Sequence, residues 1–347
     1  MAIKVSATKL LTFTKCPWKY FLIYECKPRI EVPISIWLVF GQAVHQLIAS
    51  FYRLSPAQMA QRIKRGKTIL YPTTKEKAIR MWHTLFSDVL KEKNAEFFHS
   101  PCRIRFDRST PKGIKEEKEK FRALGASMIG KYWKDNKDAP PPIAVEAPFS
   151  KIPAPDVEEK QRYDVVLVGT MDQIREIPYQ GGQGKNWYIL DLKTSWYDFG
   201  EEDPRVQFPV HRDLQFTIYS WAFRVKYGRK EGGIIRYPLG YRGKNPITGE
   251  KIDKRALITP REDIHFLELG QLIDFFLSCQ KREDFSRIIG KHCERCDYLE
   301  ICAHPELIIA KPIPVSEFDW GEVDSEIIKK RLEEAAPLRK FSQPRLF

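Results

Sequence analysis

The sequence predicts an α/β protein in which a sheet-containing core follows a mostly helical N-terminal region. Three observations support this prediction. Apolar residues recur with helical periodicity in several stretches before residue 137, and the prolines at 140–142 then stop that pattern. Beyond them, short apolar runs typical of strands alternate with amphipathic stretches. We therefore expect the α/β core to begin near residue 140.

The helical region contains four predicted elements, over residues 7–25, 36–52, 73–94 and 115–134. The turn-rich segment "HSPCRIRFDRSTPKG" separates the last two. In the core, strands are predicted for "IAVEAPFS", "YDVVLVGTMDQIREI" and "NWYILDLKT", and the link "PYQGGQGKN" joins the last two as a hairpin. A helix over 211–228, a strand over 232–241 and a helix over 267–280 follow.

Composition indicates a globular, intracellular protein. Hydrophobic residues make up 43% of the 347 residues, which excludes an intrinsically disordered chain. The opening "MAIKVSATKLLTFTK" lacks the apolar region of a secretory signal. Polar residues, among them Gln42 and His45, interrupt the most apolar window, so no membrane span is expected. We expect a cytoplasmic location, where seven cysteines favour metal binding or catalysis over disulfides.

The net charge of +13 is concentrated in one part of the chain. Between Pro56 and Asp138 there are 20 lysines and arginines against 10 acidic residues. A basic region of this kind favours a nucleic acid as partner and an anionic membrane surface second, although a solvated helical surface has the same composition. Four of its aromatic residues either stack on bases or form the core of the segment; they are Trp82, Phe86, Phe97 and Phe98.

Two acids and a lysine end strands that are otherwise apolar. Asp172 and Asp191 lie on the two strands of the predicted hairpin, so their carboxylates can meet at one end of the sheet. Two close carboxylates repel unless a cation lies between them, and Mg²⁺ prefers such oxygen ligands. Lys193 is two residues beyond Asp191 and therefore points to the same side. Each residue alone would also suit a turn cap or a surface ion pair.

These residues resemble the active-site signature of the PD-(D/E)xK nucleases, in particular the RecB-like exonuclease branch. The signature is "GTMD" followed by "ILDLKTS", with Met171 in place of the usual proline and Asp191 in place of glutamate. "FGQAVHQLI" resembles the helix that carries a metal-binding histidine, "DLQFTIYSWAF" resembles the Gln-x-x-x-Tyr motif, and "AVEAPFS" resembles the strand that supplies an additional acid. The resemblance covers residues 6–55 and 140–305.

The resemblance implies a restriction-endonuclease-like fold, with a mixed central sheet flanked by helices, and metal-dependent cleavage of DNA that leaves a 5′-phosphate. The implied ligands of Mg²⁺ or Mn²⁺ are His45, Asp172, Asp191 and the backbone carbonyl of Leu192. Lys193 would position the attacking water, and Glu146 would assist. Gln215 and Tyr219, which share one helix face, would contact the DNA strand and favour an exonuclease over an endonuclease.

Four cysteines form a second pattern. Cys293, Cys296 and Cys302 are closely spaced in "KHCERCDYLEIC", and Cys16 offers a fourth ligand. One N-terminal and three C-terminal cysteines resemble the iron–sulfur staple of AddB-type and CRISPR-adaptation nucleases, which implies a structural [4Fe–4S] cluster. Spacing alone does not exclude zinc, for which His292 and His304 are alternative ligands. The remaining cysteines are interpreted as ordinary buried thiols; they are Cys26, Cys102 and Cys279.

The last residues, "QPRLF", resemble the peptide by which replication and repair proteins bind the bacterial sliding clamp. Gln343, Leu346 and Phe347 would make that contact. Five segments are thus predicted: N-terminal helices 1–55, a basic DNA-binding insert 56–138, a nuclease core 139–285, an iron–sulfur segment 286–311 and a tail 312–347. Recombination, repair or replication is the expected context, with a helicase, recombinase or integrase as further partners.

Two other functions are compatible with the sequence. One is a CRISPR-adaptation-type nuclease that trims spacer precursors, and the other is a non-catalytic scaffold that binds DNA ends. The chain has no Gly-x-x-x-x-Gly-Lys-Ser/Thr motif, so no helicase activity is expected of it. A phage or mobile element is a plausible origin for an exonuclease of this length.

Overall fold

The computed structural model describes residues 2–26, 32, 34–53, 72–95, 104–105, 110–156, 161–178, 184–194, 212–239 and 257–304. The chain divides into two compact units. The first, here called the sheet unit, comprises Met1–Ala7, Ser35–Glu92 and Phe106–Gly270. The second, here called the cysteine unit, comprises Thr8–Ile34, Lys93–Arg105 and Gln271–Phe347.

A mixed six-stranded sheet forms the centre of the sheet unit. Its strands are β1 (Ile3–Val5), β4 (Ala144–Ala154), β5 (Arg162–Pro178), β6 (Lys185–Lys193), β7 (Ile234–Pro238) and β8 (Leu257–Thr259). The long strand β5 pairs antiparallel with β4 and β6 and parallel with β1, and β7 lies parallel to β6 and antiparallel to β8. A separate two-stranded ladder joins β2 (Ile34–Ser35) to β3 (Ile104–Arg105).

Four helices belong wholly or mainly to the sheet unit: α3 (Ile36–Ser50), α4 (Lys75–Ala95), α5 (Pro111–Asn136) and α6 (Leu214–Tyr227). Local sequence sets the ends of α6, because the Asp213 carboxylate accepts the Gln215 N–H and Gly228 closes the helix in the left-handed conformation. Thr110 caps α5 in the same way, and Pro111 occupies its first turn. Neighbouring residues thus encode both ends of α6 and the start of α5.

The cysteine unit contains α1 (Ala7–Lys15) from its second residue, α2 (Pro17–Tyr24), the later part of α7 (Asp263–Arg282), a 3₁₀ turn (Lys291–Arg295) and α8 (Leu299–Ala303). The single helix predicted over 7–25 is in fact two helices. Cys16 is extended and caps α2, with Pro17 in the first turn. Proline has no N–H to continue the ladder of α1, which explains the break.

The structure confirms the α/β fold and the mixed sheet flanked by helices. The predicted helices of the basic segment are α4 and α5, and the predicted hairpin is the antiparallel pair β5–β6. Strands β1 and β8 were not predicted. Each has three residues, and so short a strand has no periodicity that a sequence reveals.

The aromatic residues of α4 do not serve as a stacking surface for bases. Trp82 and Phe86 are fully buried, stack on one another and pack edge-on against Phe40. They are therefore part of the core, as the simpler of the two interpretations predicted. Phe97 and Phe98 lie outside the described residues.

The predicted buried thiols Cys26 and Cys279 are buried, whereas Cys102 lies outside the described residues. The tail from residue 305 onward, including Gln343, Leu346 and Phe347, also lies outside them. None of the described helices is both long and apolar enough to cross a lipid bilayer. The division into five functional segments stays a prediction.

Candidate active site

Asp172 lies at the centre of the candidate site, on strand β5. The antiparallel register pairs Gln173 with Leu190, which brings Asp172 beside the part of β6 that carries Asp191. Its Oδ2 accepts a hydrogen bond from the Leu192 backbone N–H at 2.7 Å, and its Oδ1 lies 3.3 Å from Nδ1 of His45. The side chain is thus held by one contact from the sheet and one from helix α3.

His45 reaches Asp172 because α3 passes close to the end of β6. Gly41 lies one turn before His45, and a Cβ atom at this position would be only 3.3 Å from Oγ1 of Thr194. An added side chain would therefore require Thr194 or the helix to shift by a few tenths of an ångström. The glycine of the "FGQAVHQLI" motif therefore has a packing reason, and it permits the contact between the histidine and the acid.

Glu146 joins these residues through an unusual backbone conformation. It is one of two described non-glycine residues with positive φ, at 47°. Its neighbours Val145 and Ala147 both stay in the ladder with β5, so the deviation is local to this residue. Such a conformation costs about 1–3 kcal/mol and often marks a functional site. Here it accompanies a carboxylate that lies next to His45 and Asp172.

Ligand atoms of His45, Glu146 and Asp172 all lie within 4.8 Å of one another. We call these three residues the donor triad. One imidazole nitrogen and two carboxylate oxygens suit a divalent cation such as Mg²⁺ or Mn²⁺. The chemistry of this donor set therefore fits the metal implied by the sequence. Glu146, which was expected only to assist the reaction, lies among the candidate ligands.

Asp191 is held by a different set of neighbours. Its carboxylate is almost completely buried, with 1% of the residue exposed, and Oδ2 lies 2.8 Å from Nζ of Lys193. Oδ1 accepts hydrogen bonds from Lys193 at 3.1 Å and from Gln215 Nε2 at 3.4 Å. Oδ2 makes no hydrogen bond of normal geometry among the described residues. Its close neighbour is the Lys193 ammonium, so a cation would have to share this oxygen with Lys193.

The acids of the site are crowded enough to disturb one another. Burial raises the pKa of Asp191 to about 6, the charge of Asp172 adds to that rise, and the Lys193 ammonium opposes it. Burial and the Asp172 charge likewise raise the pKa of Glu146, against the opposing charges of His45 and Arg53. Raised pKa values on neighbouring carboxyls indicate a site that lacks positive charge.

The neighbouring acids also change the pKa of His45. Burial alone would lower its pKa, but the hydrogen bond with Asp172 and the charges of the surrounding acids outweigh burial and raise it. The imidazole is therefore stabilised as a cation in the metal-free protein. A metal ion would have to displace that proton, because only the neutral ring is a ligand.

Gln215 and Tyr219 lie one turn apart on α6 and adjoin the Asp191–Lys193 pair. Gln215 Nε2 donates to the Tyr219 hydroxyl at 2.7 Å, and Gln215 Oε1 accepts from Lys193 Nζ at 3.2 Å. Tyr219 is buried and packs edge-on against Phe149 of β4. The motif found in the sequence thus forms one hydrogen-bonded chain that reaches the acid and the lysine.

A buried arginine supports the first turn of α6. Arg261 is completely buried and donates to the Asp213 carbonyl at 3.1 Å and to Thr217 Oγ1 at 3.0 Å. Burial lowers its pKa to about 10, against the opposing charges of Asp213 and Glu231. Its position explains how the helix start is held in place.

Sequence reasoning missed two charged residues at this site. Asp213 caps α6 and interacts electrostatically with Asp191. Arg236 lies on β7 directly opposite Asp191 in the parallel register. The available signal was a charged residue within the apolar strand "GGIIRYPLGY", which usually needs a partner.

The four predicted cluster cysteines converge in the cysteine unit. Cys16 belongs to a buried group with Trp18 and Tyr298, against which Cys296 and Cys302 pack. Burial raises the pKa of the Cys302 thiol; the Arg287 charge opposes this, and the other three thiols, Cys293 included, reinforce it. The Sγ atom of Cys16 also accepts the Lys19 backbone N–H at 3.4 Å.

The two histidines suggested as alternative zinc ligands, His292 and His304, flank the three C-terminal cysteines in the sequence. Nε2 of His292 lies 2.9 Å from the Ile288 carbonyl, so this nitrogen already has a backbone partner. His304 is the last residue of the described part and follows α8.

Comparison with known proteins identifies the family of this chain. None of the curated protein sequences gives a significant match. Residues 4–303 match the model of the PD-(D/E)XK nuclease superfamily. The match includes the donor triad, Asp191, Lys193 and the central sheet, and it implies a metal-dependent nuclease that acts on DNA. With this site on this sheet, the chain belongs to the PD-(D/E)XK nuclease superfamily.

Proposed function

We propose that the protein is an exonuclease that hydrolyses DNA phosphodiester bonds from an end and leaves 5′-phosphate products. The observation that supports this most is the contact between the Gln215–Tyr219 pair and the Asp191–Lys193 pair, which are joined by hydrogen bonds of 3.1–3.4 Å through Gln215, Lys193 and Asp191. Asp191 and Lys193 belong to the signature of the superfamily, whereas Gln215 and Tyr219 resemble the Gln-x-x-x-Tyr motif of the RecB-like exonuclease branch, which is why an exonuclease is proposed.

The cation would be Mg²⁺ or Mn²⁺, held by His45, Asp172 and Asp191 with the Leu192 carbonyl, and with Glu146 as an additional ligand. When bound, such a cation polarises the scissile phosphate and lowers the pKa of water. The mutual distance of at most 4.8 Å within the donor triad supports this assignment. The electrostatic interaction of Asp191 with Asp172 and His45 supports the inclusion of that acid.

Lys193 would act on the attacking water and on the charge that develops on the phosphate. Its side chain is a quarter exposed, and its ammonium contacts Asp191 and Gln215, so the side chain is oriented but still accessible from solvent. Gln215 would share this task, because its amide is anchored to Tyr219 at one end and faces the reacting groups at the other. The described basic helices α4 and α5 would bind the DNA backbone at a distance from the reaction.

Digestion of end-labelled linear DNA and of closed circular DNA tests the proposal. We expect Mg²⁺- or Mn²⁺-dependent shortening of linear DNA from an end, no cleavage of circles, and no reaction in EDTA. Cleavage of closed circles would show an endonuclease instead. DNA binding without any cleavage would favour the non-catalytic scaffold, and activity confined to a complex with an integrase would favour the CRISPR-adaptation alternative.

Metal binding should stabilise the protein more at pH 8 than at pH 5. Asp191 and Glu146 have raised pKa values, so below pH 6 protons neutralise carboxylates that a cation would otherwise bind. Above pH 6 Asp191 is ionised, and its buried negative charge destabilises the metal-free folded state. A bound cation neutralises that charge and therefore stabilises the fold more at high pH. Thermal unfolding with and without Mg²⁺ measures this, and a shift in melting temperature that is equal at both pH values would contradict it.

We further propose that Cys16, Cys293, Cys296 and Cys302 hold a [4Fe–4S] cluster with a structural role. Three of these cysteines, Cys16, Cys296 and Cys302, belong to one packed cluster, and Cys293 interacts electrostatically with Cys302. An unsatisfied hydrogen-bond donor in the same cluster also supports the proposal. Nε1 of Trp18 is buried and has no hydrogen-bond acceptor among the described residues. Leaving such a donor unpaired costs about 1–3 kcal/mol, so an acceptor supplied by a bound group would be favourable. The cluster would tie α2 to α8.

Anaerobic purification followed by iron, sulfide and zinc analysis tests the cluster. We expect about four iron and four sulfide per chain, with the broad visible absorption of such clusters. In Cys16→Ser both contents should fall sharply, whereas Cys26→Ser, which changes a buried cysteine outside the proposed set, should keep them. One zinc and no sulfide would establish the zinc alternative.

The cellular context is also a proposal. Recombination, repair or replication fits an exonuclease that lacks a helicase motif, with a helicase or recombinase acting as a separate partner. The clamp-binding peptide at Gln343, Leu346 and Phe347 would connect the enzyme to replication. Binding of the full chain to a purified sliding clamp, with and without the last five residues, tests this connection.

A further inference from the structure

Gly169 and Phe149 lie against each other in the sheet, and neither has a part in the chemistry described above. Gly169 begins "GTMD" on β5, Phe149 belongs to "AVEAPFS" on β4, and the antiparallel register pairs them. A Cβ atom at position 169 would lie 2.6 Å from Cζ of Phe149 and 3.1 Å from its Cε1. The aromatic ring therefore occupies the space that a side chain at position 169 would need. A glycine within a strand often marks such a close approach.

The ring of Phe149 also packs against Tyr219 of α6. Their ring centroids are 6.0 Å apart and their planes meet at 84°, which is the edge-to-face geometry that aromatic pairs prefer. Phe149 has 4% of its surface exposed and Tyr219 has 7%. Because the protein encloses both rings, a Phe149 ring displaced from Gly169 moves against its packed neighbours, of which Tyr219 is one. The room that Gly169 leaves for the ring thus helps to fix the position of Tyr219.

Tyr219 in turn orients Gln215. Its hydroxyl accepts a hydrogen bond from Gln215 Nε2 at 2.7 Å, which is the shortest hydrogen bond of this amide among the described residues. The other end of the amide, Oε1, accepts from Lys193 Nζ at 3.2 Å. An amide group is planar, so a shift of the end that Tyr219 holds also moves the end that contacts the lysine. The contact between Phe149 and Tyr219 is therefore connected with Lys193 through one side chain.

We propose that Phe149 is a positioning residue for DNA cleavage, and that Gly169 provides the room this residue needs. Phe149 holds Tyr219 in place. Tyr219 fixes Gln215 and thereby the ammonium of Lys193. The proposal deepens the proposed function, on which it rests, by adding a residue of β4 that acts through the reacting groups. A displacement of about 1 Å can lower a rate about 100-fold, so a contact remote from the chemistry can still set turnover.

Single-turnover digestion of linear DNA by the full chain in Mg²⁺, over a series of protein concentrations, tests the proposal. It gives the maximal rate and the half-saturating concentration separately. In Gly169→Ala the new methyl group displaces the ring, so we expect a maximal rate about 10- to 100-fold lower. The half-saturating concentration should change less than about threefold, because the DNA contacts proposed for α4 and α5 are kept. Phe149→Leu, which lacks the ring, should lower the maximal rate by a comparable factor.

Double substitutions test whether these residues act through one another. Leucine at position 149 lacks the Cζ and Cε atoms that a methyl group at position 169 would meet. Adding Gly169→Ala to Phe149→Leu should therefore lower the maximal rate less than about twofold further. Adding Phe149→Leu to Gln215→Ala should likewise cost less than about twofold, because the connection to Lys193 is already lost. The second pair keeps the test decisive if Gly169→Ala does not fold.

Gly232→Ala is the matched control, because it creates the same overlap with a different ring. A Cβ atom at Gly232 would lie 2.6 Å from Cζ of Tyr188, which belongs to β6. Tyr188 takes no part in the hydrogen bonds between Tyr219 and Lys193. Gly232→Ala should lower the melting temperature as Gly169→Ala does, but its maximal rate should stay within about twofold of wild type. All rates are measured well below the lowest melting temperature of the set.

The outcomes separate a positioning role from a structural one. A loss of maximal rate in Gly169→Ala and Phe149→Leu, non-additive in both double variants and absent in Gly232→Ala, supports the proposal. Equal losses in Gly169→Ala and Gly232→Ala would overturn it and assign the ring contact a structural role, and additive losses in either double variant would overturn it too. Absence of cleavage by the wild-type chain would refute the proposed function together with the positioning role. Wild-type cleavage with additive losses overturns the positioning role alone.

Discussion

Asp191→Asn should abolish DNA cleavage while leaving the protein folded, with a loss of activity of about 10³-fold or more. Asparagine has nearly the same shape but carries no charge, so the cation loses a proposed ligand and Lys193 loses its anionic partner at 2.8 Å. The loss should appear in turnover at saturating DNA, because the reacting groups are affected more than the remote DNA contacts. Single-turnover digestion of linear DNA in Mg²⁺ measures it.

The same substitution should not lower stability at pH 8. The pKa of Asp191 is raised to about 6 in the folded protein, so its ionised form is unfavourable there and this contribution to stability is lost as pH rises through 6. A neutral asparagine avoids that loss, and Lys193 remains partly hydrated. The metal-free variant should therefore melt at or above the wild-type temperature at pH 8, with a smaller difference at pH 4.

Asp164→Asn is the control for both effects. Asp164 lies on β5, is exposed, and pairs with Arg162 at 2.7 Å. The same chemical change at this surface pair should alter activity less than twofold, because exposed pairs contribute only about 0–1 kcal/mol. Full activity in Asp191→Asn would show that the acid is no metal ligand, and a large loss in Asp164→Asn would indicate a general effect of charge.

Arg224→Met should lower the free energy of unfolding by about 3–5 kcal/mol, the usual cost of leaving a buried charge without its partner. Glu231 has 1% of its side chain exposed and receives two hydrogen bonds from Arg224, at 2.9 and 3.0 Å. Ser220 donates a further hydrogen bond to Glu231, which the substitution leaves in place. A methionine at position 224 cannot replace the charge or the two hydrogen bonds of the arginine. Denaturant unfolding of the metal-free protein, followed by near-ultraviolet circular dichroism, measures the change.

The neighbouring pair Lys230–Glu262 provides the contrast. Its partners are 2.9 Å apart, but each side chain is 57% exposed. Lys230→Met should therefore cost less than about 1 kcal/mol. Adding Glu231→Gln to Arg224→Met should recover part of the loss, because the uncompensated charge is then removed. Equal losses of unfolding free energy in Arg224→Met and Lys230→Met would contradict the claim that burial makes the Arg224–Glu231 pair the more important one.

Local sequence accounts for much of the fold. The apolar runs that predicted β5 and β6 form those strands, and the hairpin between them places Asp172 and Asp191 on neighbouring strands as expected. The alternation of side chains along a strand correctly predicted that Lys193 lies on the same side as Asp191. Helix ends were partly missed: Cys16 and Pro17 divide a helix that periodicity predicted as one.

The sequence proposed which residues form the candidate site, but it did not predict how they are arranged in space. Sequence patterns selected His45, Asp172, Asp191, Lys193 and Gln215, and the structure brings these side chains together. Glu146 joins the donor triad with a backbone φ of 47°. Glutamate rarely adopts positive φ, so its residue type does not predict this conformation.

What the sequence by itself determined is therefore local: which segments are strands or helices, which side chains share a face, and which residue types could bind a cation. Tertiary structure decided which faces meet. The parallel pairing of β7 with β6 places Arg236 beside Asp191 across 45 positions of the chain, and the packing of α4 encloses Trp82 that the sequence left open for base stacking. Periodicity reports the interactions of neighbouring residues, whereas pairing between distant strands depends on the burial of both partners at once.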